Sequence, residues 1–455
     1  MEIKKALVIG MARSGIAAAK LLRLRGAEVV INDAKTRDKF EDGLKELDMP
    51  GVEFRLGEDP SGLLEGVDAL IISPGVPIGA PVVARAKEMG VEVMGELEYA
   101  YREGKGQLMA ITGTNGKTTT TTLLSEIFKN AGKRVHTVGN IGNPYTGEVP
   151  DMKTTDVAVC EVSSFQLETV DWFHPNVCAV LNISEDHLNR HGDMETYIAM
   201  KKRIFARCQG KDSVVLNYDD PVTRDMAKDV KCQLVWFSTE QPVPYGAFVS
   251  DGMMVYGSKN SFVPICPANE LQIPGRHNLA NALAASAMAM AAGVPAPVIR
   301  MTLKRFQSVE HRIEFTRELS GVKFYNDSKG TNVDSTIQAV RAMDRPTVLI
   351  AGGYDKHTDF TPMVEEIKKS RIERIVLIGD TAKQIAETLD KCGYAAYEHC
   401  GYDFEKAIAR AFELARDGGS VLLSPACASF DMFKDYEARG REFKRIVKDL
   451  EPKRS

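Results

Sequence analysis

One nine-residue run limits what this chain can fold into: Ile111, Thr112, Gly113, Thr114, Asn115, Gly116, Lys117, Thr118, Thr119. An apolar stretch (108–112) leads into it and a helix-period stretch (117–131) leads out. Glycines between a strand and a helix let successive backbone N–H groups converge on one anion, and the helix N-terminus adds a favourable field. A lysine at the helix start would neutralise the terminal phosphates of a nucleotide, and the Thr118 hydroxyl would hold Mg²⁺. The full phosphate-loop pattern wants a glycine where Ile111 stands, so this loop is a variant whose first glycine is Gly113. On the residues alone, an ordinary strand–turn–helix corner stays open. Either reading demands a strand followed directly by a helix, the unit of a parallel sheet.

The same alternation runs along all 455 residues, too many for one core. Short Val/Ile/Leu runs at 5–9, 28–32 and 69–73 predict strands of a first block (1–95), with helices over 16–25 and 81–89. Runs at 108–112, 157–161, 177–182 and 213–217 belong to a second block (96–308). In that block 238–270 is more polar and predicts a small β-rich excursion, and 278–292 predicts an Ala-rich helix. A third block (309–455) has strands at 347–350, 374–378 and 420–424, and helices at 333–343 and 404–416. The expected fold is α/β in three domains.

Chemistry-bearing residues gather where these strands end, which is where open parallel sheets bind ligands. Glu161 ends the strand 157–161 beside the phosphate loop, a place suited to a magnesium ligand; alone it reads equally as a solvated strand-end carboxylate. Glu185, Asp186, His187 and His191 follow the next strand and could serve a second divalent ion. A lone His187 would be structural as readily as functional. In the first block Gly10 to Gly15 resembles a dinucleotide fingerprint with Ala12 in place of its middle glycine, which argues against NAD. Asp33 ends the following strand where a ribose-binding acid would sit, and Ser73, Pro74 and Gly75 form another turn. Such a cradle fits a nucleotide-like group, and an empty Rossmann-like domain is the alternative. In the third block Asp327, Lys329 and Thr331, then Lys356, then Ser429 and Phe430, follow three strands and could hold a small dicarboxylate. Helix N-caps at Thr331 and Ser429, and a solvated Lys356, are the plain alternatives.

Composition excludes other classes. With 58 basic and 62 acidic side chains the net charge is −4, which gives no broad basic surface for nucleic acid. The eight cysteines contain no C-x-x-C pair and read as buried reduced thiols. The apolar stretch 282–294 is too short to span a bilayer, and 1–10 carries no signal-peptide pattern. A cytoplasmic protein without membrane insertion is expected.

Taken together, the segments 112–118, 326–332, 352–356 and 423–429 resemble the Mur ligases over essentially the whole chain, most of all the branch that adds D-glutamate. The phosphate loop is shared with related ligases, and the three later segments carry the finer likeness. The resemblance implies a Rossmann-like uridine-nucleotide domain, a central P-loop ATPase-type domain and a Rossmann-like C-terminal lid domain. It implies ATP on Gly113, Thr114, Asn115, Gly116, Lys117, Thr118 and Thr119. It places Asn278 and Asn281 near the base, with Arg312, Asp327 and Lys329 closing over the nucleotide. One Mg²⁺ falls to Thr118 and Glu161, and a second to His187 and a carbamylated Lys201, making Lys117, His187 and Lys201 the catalytic set. The uridine substrate, UDP-N-acetylmuramoyl-L-alanine, would meet Arg13, Ser14, Asp33, Ser73 and Gly75, with Asn140 at its muramoyl end. D-Glutamate would meet Thr331, Lys356, Ser429, the backbone at Phe430, and Tyr436. Tyr436 stands where the family has Phe. A monomer is implied. On the residues alone, a ligase for another amino acid and a non-catalytic nucleotide-binding protein remain alternatives.

Overall fold

Strands buried on both faces must be apolar throughout, and the short Val/Ile/Leu runs meet that condition. In a computed structural model, which describes residues 3–273, 275–307, 310–354 and 358–453 and leaves out the side chains of 41, 42 and 189, these runs assemble into three sheets.

The first sheet contains β1 (Lys5–Ile9), β2 (Glu28–Asp33), β3 (Val52–Leu56), β4 (Ala69–Ile72) and β5 (Glu92–Gly95). All are parallel, in the order β3-β2-β1-β4-β5. The order reverses between β1 and β4, the crevice where doubly wound sheets take ligands. Gly10 and Ser73 follow those two strands, and Ser73 Oγ donates to the Gly10 carbonyl at 3.3 Å. The helix Arg13–Leu24 packs close to that loop because Gly15 has no side chain: a Cβ there would stand 1.8 Å from the Gly10 oxygen.

The central sheet has nine strands. Its parallel part comprises β6 (Gln107–Thr112), β7 (Val135–Gly139), β8 (Val157–Glu161), β9 (Val177–Val180), β10 (Ser213–Asn217), β11 (Gln233–Ser238) and β12 (Gly246–Ser250). The strands β13 (Met253–Ser258) and β14 (Ser261–Pro267) then add antiparallel. The order is β14-β13-β12-β11-β10-β9-β6-β8-β7. The β-rich stretch expected over 238–270 is therefore an extension of this sheet: β11 already pairs with β12.

The third sheet orders β15 (Glu314–Leu319), β16 (Val322–Asn326), β17 (Thr347–Gly352), β18 (Ile372–Ile378), β19 (Tyr397–Gly401) and β20 (Ser420–Leu423) as β15-β16-β20-β17-β18-β19. Only the β15–β16 hairpin is antiparallel. The chain forms two compact units, one of 1–270 with 280–304 holding the first two sheets, the other of 271–279 with 305–455 holding the third. All eight cysteines are free. Among the described residues no helix is long and apolar enough to cross a membrane.

Candidate functional site

In the first unit, the phosphate loop leaves β6 and turns at Gly113 (φ 147°) and Gly116 (φ 83°) into the helix Lys117–Asn130. Both glycines are sterically required. A Cβ on Gly113 would press on Leu181 at 3.0 Å, and one on Gly116 would stand 2.2 Å from Asn281 Oδ1. The loop is clamped to the end of β9. Asn115 N donates to Asn182 Oδ1 at 2.8 Å, Asn182 Nδ2 donates to Asn115 O at 3.0 Å, and Thr114 N donates to Asn182 O at 2.9 Å. The Thr114 hydroxyl meets the Tyr197 hydroxyl at 3.0 Å and accepts from Ser184 N at 3.0 Å. A loop fixed this way presents its amides without reorganisation.

Two lysine Nζ atoms converge on this loop. Lys117 Nζ donates to Gly113 O at 2.9 Å and Thr114 O at 2.8 Å. Lys201 Nζ, on the helix Met194–Lys202, donates to the same Gly113 O at 2.8 Å and lies 4.8 Å from the Tyr197 ring centre. Lys201 is 2% exposed, so sequence position alone misleads: a residue in a charged-looking helix is one of the most buried side chains here. Burial, reinforced by Lys117, holds its amine well below the usual lysine range, against the pull of Asp186 and Glu161. A neutral amine is the form that adds CO₂.

Glu161 and Thr118 fit a magnesium ion. Glu161 lies opposite Ile111 in the β6–β8 ladder, one strand from the loop. Asn140 Nδ2 donates to its Oε1 at 2.8 Å, while Oε2 is buried with no partner among the described residues. The Thr118 hydroxyl belongs to the first helical turn and is also buried. Hard oxygen donors of this kind suit Mg²⁺, which keeps water and phosphate as its other ligands. Among the described residues no three His, Cys, Asp or Glu side chains form a metal cage of their own. His187 sits after β9 in a left-handed conformation (φ 54°), its ring 4.8 Å from that of Phe165. Burial lowers its pKa, opposed by Asp186 and helped by Lys117 and Lys201. A neutral imidazole is the ligating form. His191 of the same cluster is used otherwise, bonded to Ser164 Oγ at 3.0 Å.

At the first sheet's crevice, Asp33 Oδ2 accepts from Met11 N at 2.9 Å, so the expected ribose acid also holds the Gly10 loop. Arg13 Nη2 donates to Gly142 O at 2.7 Å. Ser73 packs against Gly10, and Gly75 has open space around it. Ser14 lies in the first turn of the helix Arg13–Leu24. Asn281, 5% exposed, also accepts from Thr120 Oγ1 at 3.4 Å.

In the second unit, three loops meet at the ends of β16, β17 and β20. Asp327 accepts from Ser424 Oγ at 2.7 Å and Ile313 N at 3.2 Å, and burial raises its pKa to about 6. Lys329 N donates to His311 O at 3.0 Å, and Lys329 Nζ lies 5.3 Å from the Tyr436 ring centre. Arg312 stands between two left-handed residues, His311 (φ 65°) and Ile313 (φ 43°), and its Nε is buried with no partner among the described residues. Strained backbone that orients a polar head is a mark of binding loops. Asn278 is buried in this unit. Ser429 is 2% exposed and Phe430 66% exposed, its ring meeting that of Tyr354 at 6.0 Å. The helix-cap alternative falls away for both hydroxyls: Asn332 caps the helix Val333–Arg341, and Asp435 caps the helix Tyr436–Asp449. Lys356 lies outside the described residues.

Beneath these loops is a residue the sequence did not flag. Arg439 is wholly buried, and its guanidinium donates to Ser328 Oγ (2.9 Å), Ser328 O (2.8 Å), Cys427 O (3.1 Å) and Ala428 O (3.3 Å). Its available signal was Gly440, a helix-interior glycine whose Cβ would strike the His311 ring at 2.2 Å. Asn182 and Tyr197 were missed likewise as loop clamps.

Known proteins share this layout. Three family models match: "Mur ligase MurD-like, N-terminal domain" over 4–95, "Mur ligase middle domain" over 111–289 and "Mur ligase, glutamate ligase domain" over 311–427. A Thermoanaerobacter (strain X514) protein named UDP-N-acetylmuramoylalanine--D-glutamate ligase is 46% identical over 453 residues, 99% of this chain and 100% of its own. One of the same name from Caldanaerobacter subterraneus is 45% identical over 452 residues, 99% of each. Among solved structures, a pseudomurein peptide ligase type C from Methanothermus fervidus has TM-score 0.60 at 20% identity, covering 98% of this chain and 100% of that one. MurF from Thermotoga maritima in complex with ADP has TM-score 0.59 at 16% identity, covering 99% and 97%. These structures speak to the fold.

Proposed function

The chain belongs to the Mur ligase family, and we infer that it is an ATP-dependent ligase adding D-glutamate to UDP-N-acetylmuramoyl-L-alanine in peptidoglycan precursor synthesis. The observation that carries this is full-length likeness, 46% over 453 residues, to a relative named for that activity. The three proposed domains are 1–95 for the uridine nucleotide, 96–308 for ATP, and 309–455 for the amino acid and closure.

In the reaction, the alanyl carboxylate attacks the γ-phosphorus of ATP in line, giving an acyl phosphate and ADP. The amine of D-glutamate attacks that acyl carbon, a tetrahedral intermediate collapses, and phosphate leaves. The loop amides of 113–118 hold the phosphates, and Lys117 exchanges the carbonyls of Gly113 and Thr114 for phosphate oxygens. Thr118 and Glu161 would hold one Mg²⁺, and His187 with a carbamylated Lys201 a second, and the ions would supply the charge that lets one anion approach another. Asn278, Asn281, Arg312, Asp327 and Lys329 position the nucleotide. Arg13, Ser14, Asp33, Ser73, Gly75 and Asn140 position the uridine substrate, and Thr331, Lys356, Ser429, Phe430 and Tyr436 position D-glutamate. The third domain closes against water, because acyl phosphates hydrolyse. The enzyme acts as a cytoplasmic monomer.

The test is phosphate release from ATP with UDP-N-acetylmuramoyl-L-alanine, comparing D-glutamate, L-glutamate and meso-diaminopimelate. Release with D-glutamate alone is expected, and equal release with diaminopimelate would contradict the assignment.

A further inference from the structure

One guanidinium ties together three loops of the first unit. Arg190 lies in the short helix Leu188–His191, and its backbone N–H donates to the His187 carbonyl at 3.0 Å. Its side chain crosses to Glu168, just past the helix Ser164–Leu167 that follows β8, and makes a fork: Nε donates to Oε1 at 3.2 Å and Nη2 to Oε2 at 2.7 Å. The same Nη2 donates to the Val76 carbonyl at 3.1 Å. Val76 closes the turn after β4, its N–H donating to the Ser73 carbonyl at 2.9 Å. The guanidinium lies over the Phe165 ring, 5.2 Å from its centre.

The first sheet and the central sheet meet at this point. Ser73, Pro74 and Val76 share one narrow crevice with Phe165, Gln166 and Glu168. The approach is close: a Cβ on Gly95, at the end of β5, would stand 2.2 Å from Thr169 Oγ1. The side chains of Glu168 and Arg190 are 5% and 19% exposed, so the pair is largely out of water. A planar fork there fixes direction as well as charge, which a lysine on its flexible stem does not. A substrate whose nucleotide lies at the first sheet and whose carboxylate reacts at the second depends on the spacing of the two. A misplacement of about 1 Å at reacting atoms costs on the order of 10²-fold in rate.

We propose that Arg190 is a positioning residue that locks the turn 73–76 to the strand ends bearing Glu161 and His187, so that the uridine end of the substrate and its reacting carboxylate are held at one spacing. This rests on the reading of that turn as part of the uridine cradle; Arg190 acts through Val76 and Glu168. Calorimetric titration of the full chain with UDP-N-acetylmuramoyl-L-alanine, and separately with ADP, tests it without turnover. In Arg190→Lys the uridine substrate should bind about tenfold more weakly, the effect of one charge-assisted hydrogen bond, while ADP binds as before. In the assay, kcat/KM for the uridine substrate should fall on the order of 10²-fold with the KM for D-glutamate unchanged. The double variant Arg190→Gln, Glu168→Gln removes both buried charges together and leaves none unpaired. It should show the same loss with the urea midpoint of the natural chain, and it decides the matter if Arg190→Lys is unstable. Equal weakening of ADP would mean a role in the fold alone and overturn the proposal. So would unchanged uridine affinity in a variant that folds like the natural chain, with the cradle reading left standing. Failure of the natural chain to bind the uridine substrate would overturn that reading and the proposal together.

Discussion

Asn140 holds Glu161 at two points: its Nδ2 donates to Oε1 at 2.8 Å and its backbone N–H donates to the Glu161 carbonyl at 2.9 Å. The carboxylate is thereby fixed with Oε2 left for a ligand from outside the protein. Residues that orient a metal ligand are worth roughly 10–100-fold in metal affinity. Asn140→Ala should raise the Mg²⁺ concentration for half-maximal phosphate release by about that factor while leaving turnover at saturating Mg²⁺ largely intact. A change in the KM for the uridine substrate with no change in the Mg²⁺ dependence would leave Asn140 its substrate role alone and remove it as a support of the metal ligand.

Lys201 is buried, its amine is held well below the usual lysine range by that burial, and its Nζ lies 2.8 Å from Gly113 O of the phosphate loop. A neutral amine takes up CO₂ and becomes an anion able to share a cation. Protein equilibrated with ¹³C-bicarbonate should show a carbamate carbon resonance that disappears in Lys201→Arg. Because protonation competes with CO₂, the resonance should fade as pH falls. Its persistence in Lys201→Arg would remove the carbamate from the account.

The phosphate loop, its lysine and the strand-end carboxylates were legible in the sequence because each is a local pattern: a strand, a glycine turn, a helix. Lys201 was legible only by resemblance, since nothing in its neighbours announces that a helix bearing Lys201 and Lys202 turns one ammonium inward to 2% exposure. Arg439 was invisible for the same reason, its partners at Ser328 and Cys427 being distant in the chain. The edge strand β7 and the interior strand β11 went unread because β7 carries the polar residues His136 and Thr137, and β11 starts with the polar Gln233.

His136 shows why β7 looked unlike a core strand. Its ring is buried between two carboxylates, Nδ1 at 2.8 Å from Glu148 and Nε2 at 3.1 Å from Asp156. Both carboxylates keep a further partner, Asn143 for Glu148 and the Lys153 N–H for Asp156, so loss of His136 unpairs them only in part. His136→Leu should lower unfolding stability in a urea titration, and Asp156→Asn in the same background should restore part of it. Simple additivity of the two losses would mean the groups do not interact.

Asp327 gives the third domain a pH signature. Its folded pKa is about 6 against an unfolded value near 4, so between those values the native state holds a proton that the unfolded chain has lost. Its contribution is therefore fully present below pH of about 4 and falls as pH rises to about 6, by up to about 3 kcal/mol. Unfolding of the chain and of Asp327→Asn, compared across that window, should differ by a pH-dependent gap of this sign. Parallel stability profiles would contradict it.

The central claim is that ATP's terminal phosphate is gripped at Gly113–Lys117 and transferred to a carboxylate. ADP formation and amide formation, measured together with UDP-N-acetylmuramoyl-L-alanine and D-glutamate, test it most directly. The account predicts one ADP for each amide bond, with both falling about 10²–10³-fold or more in Lys117→Ala. Amide formation unaffected by that substitution, or product without ADP, would contradict it.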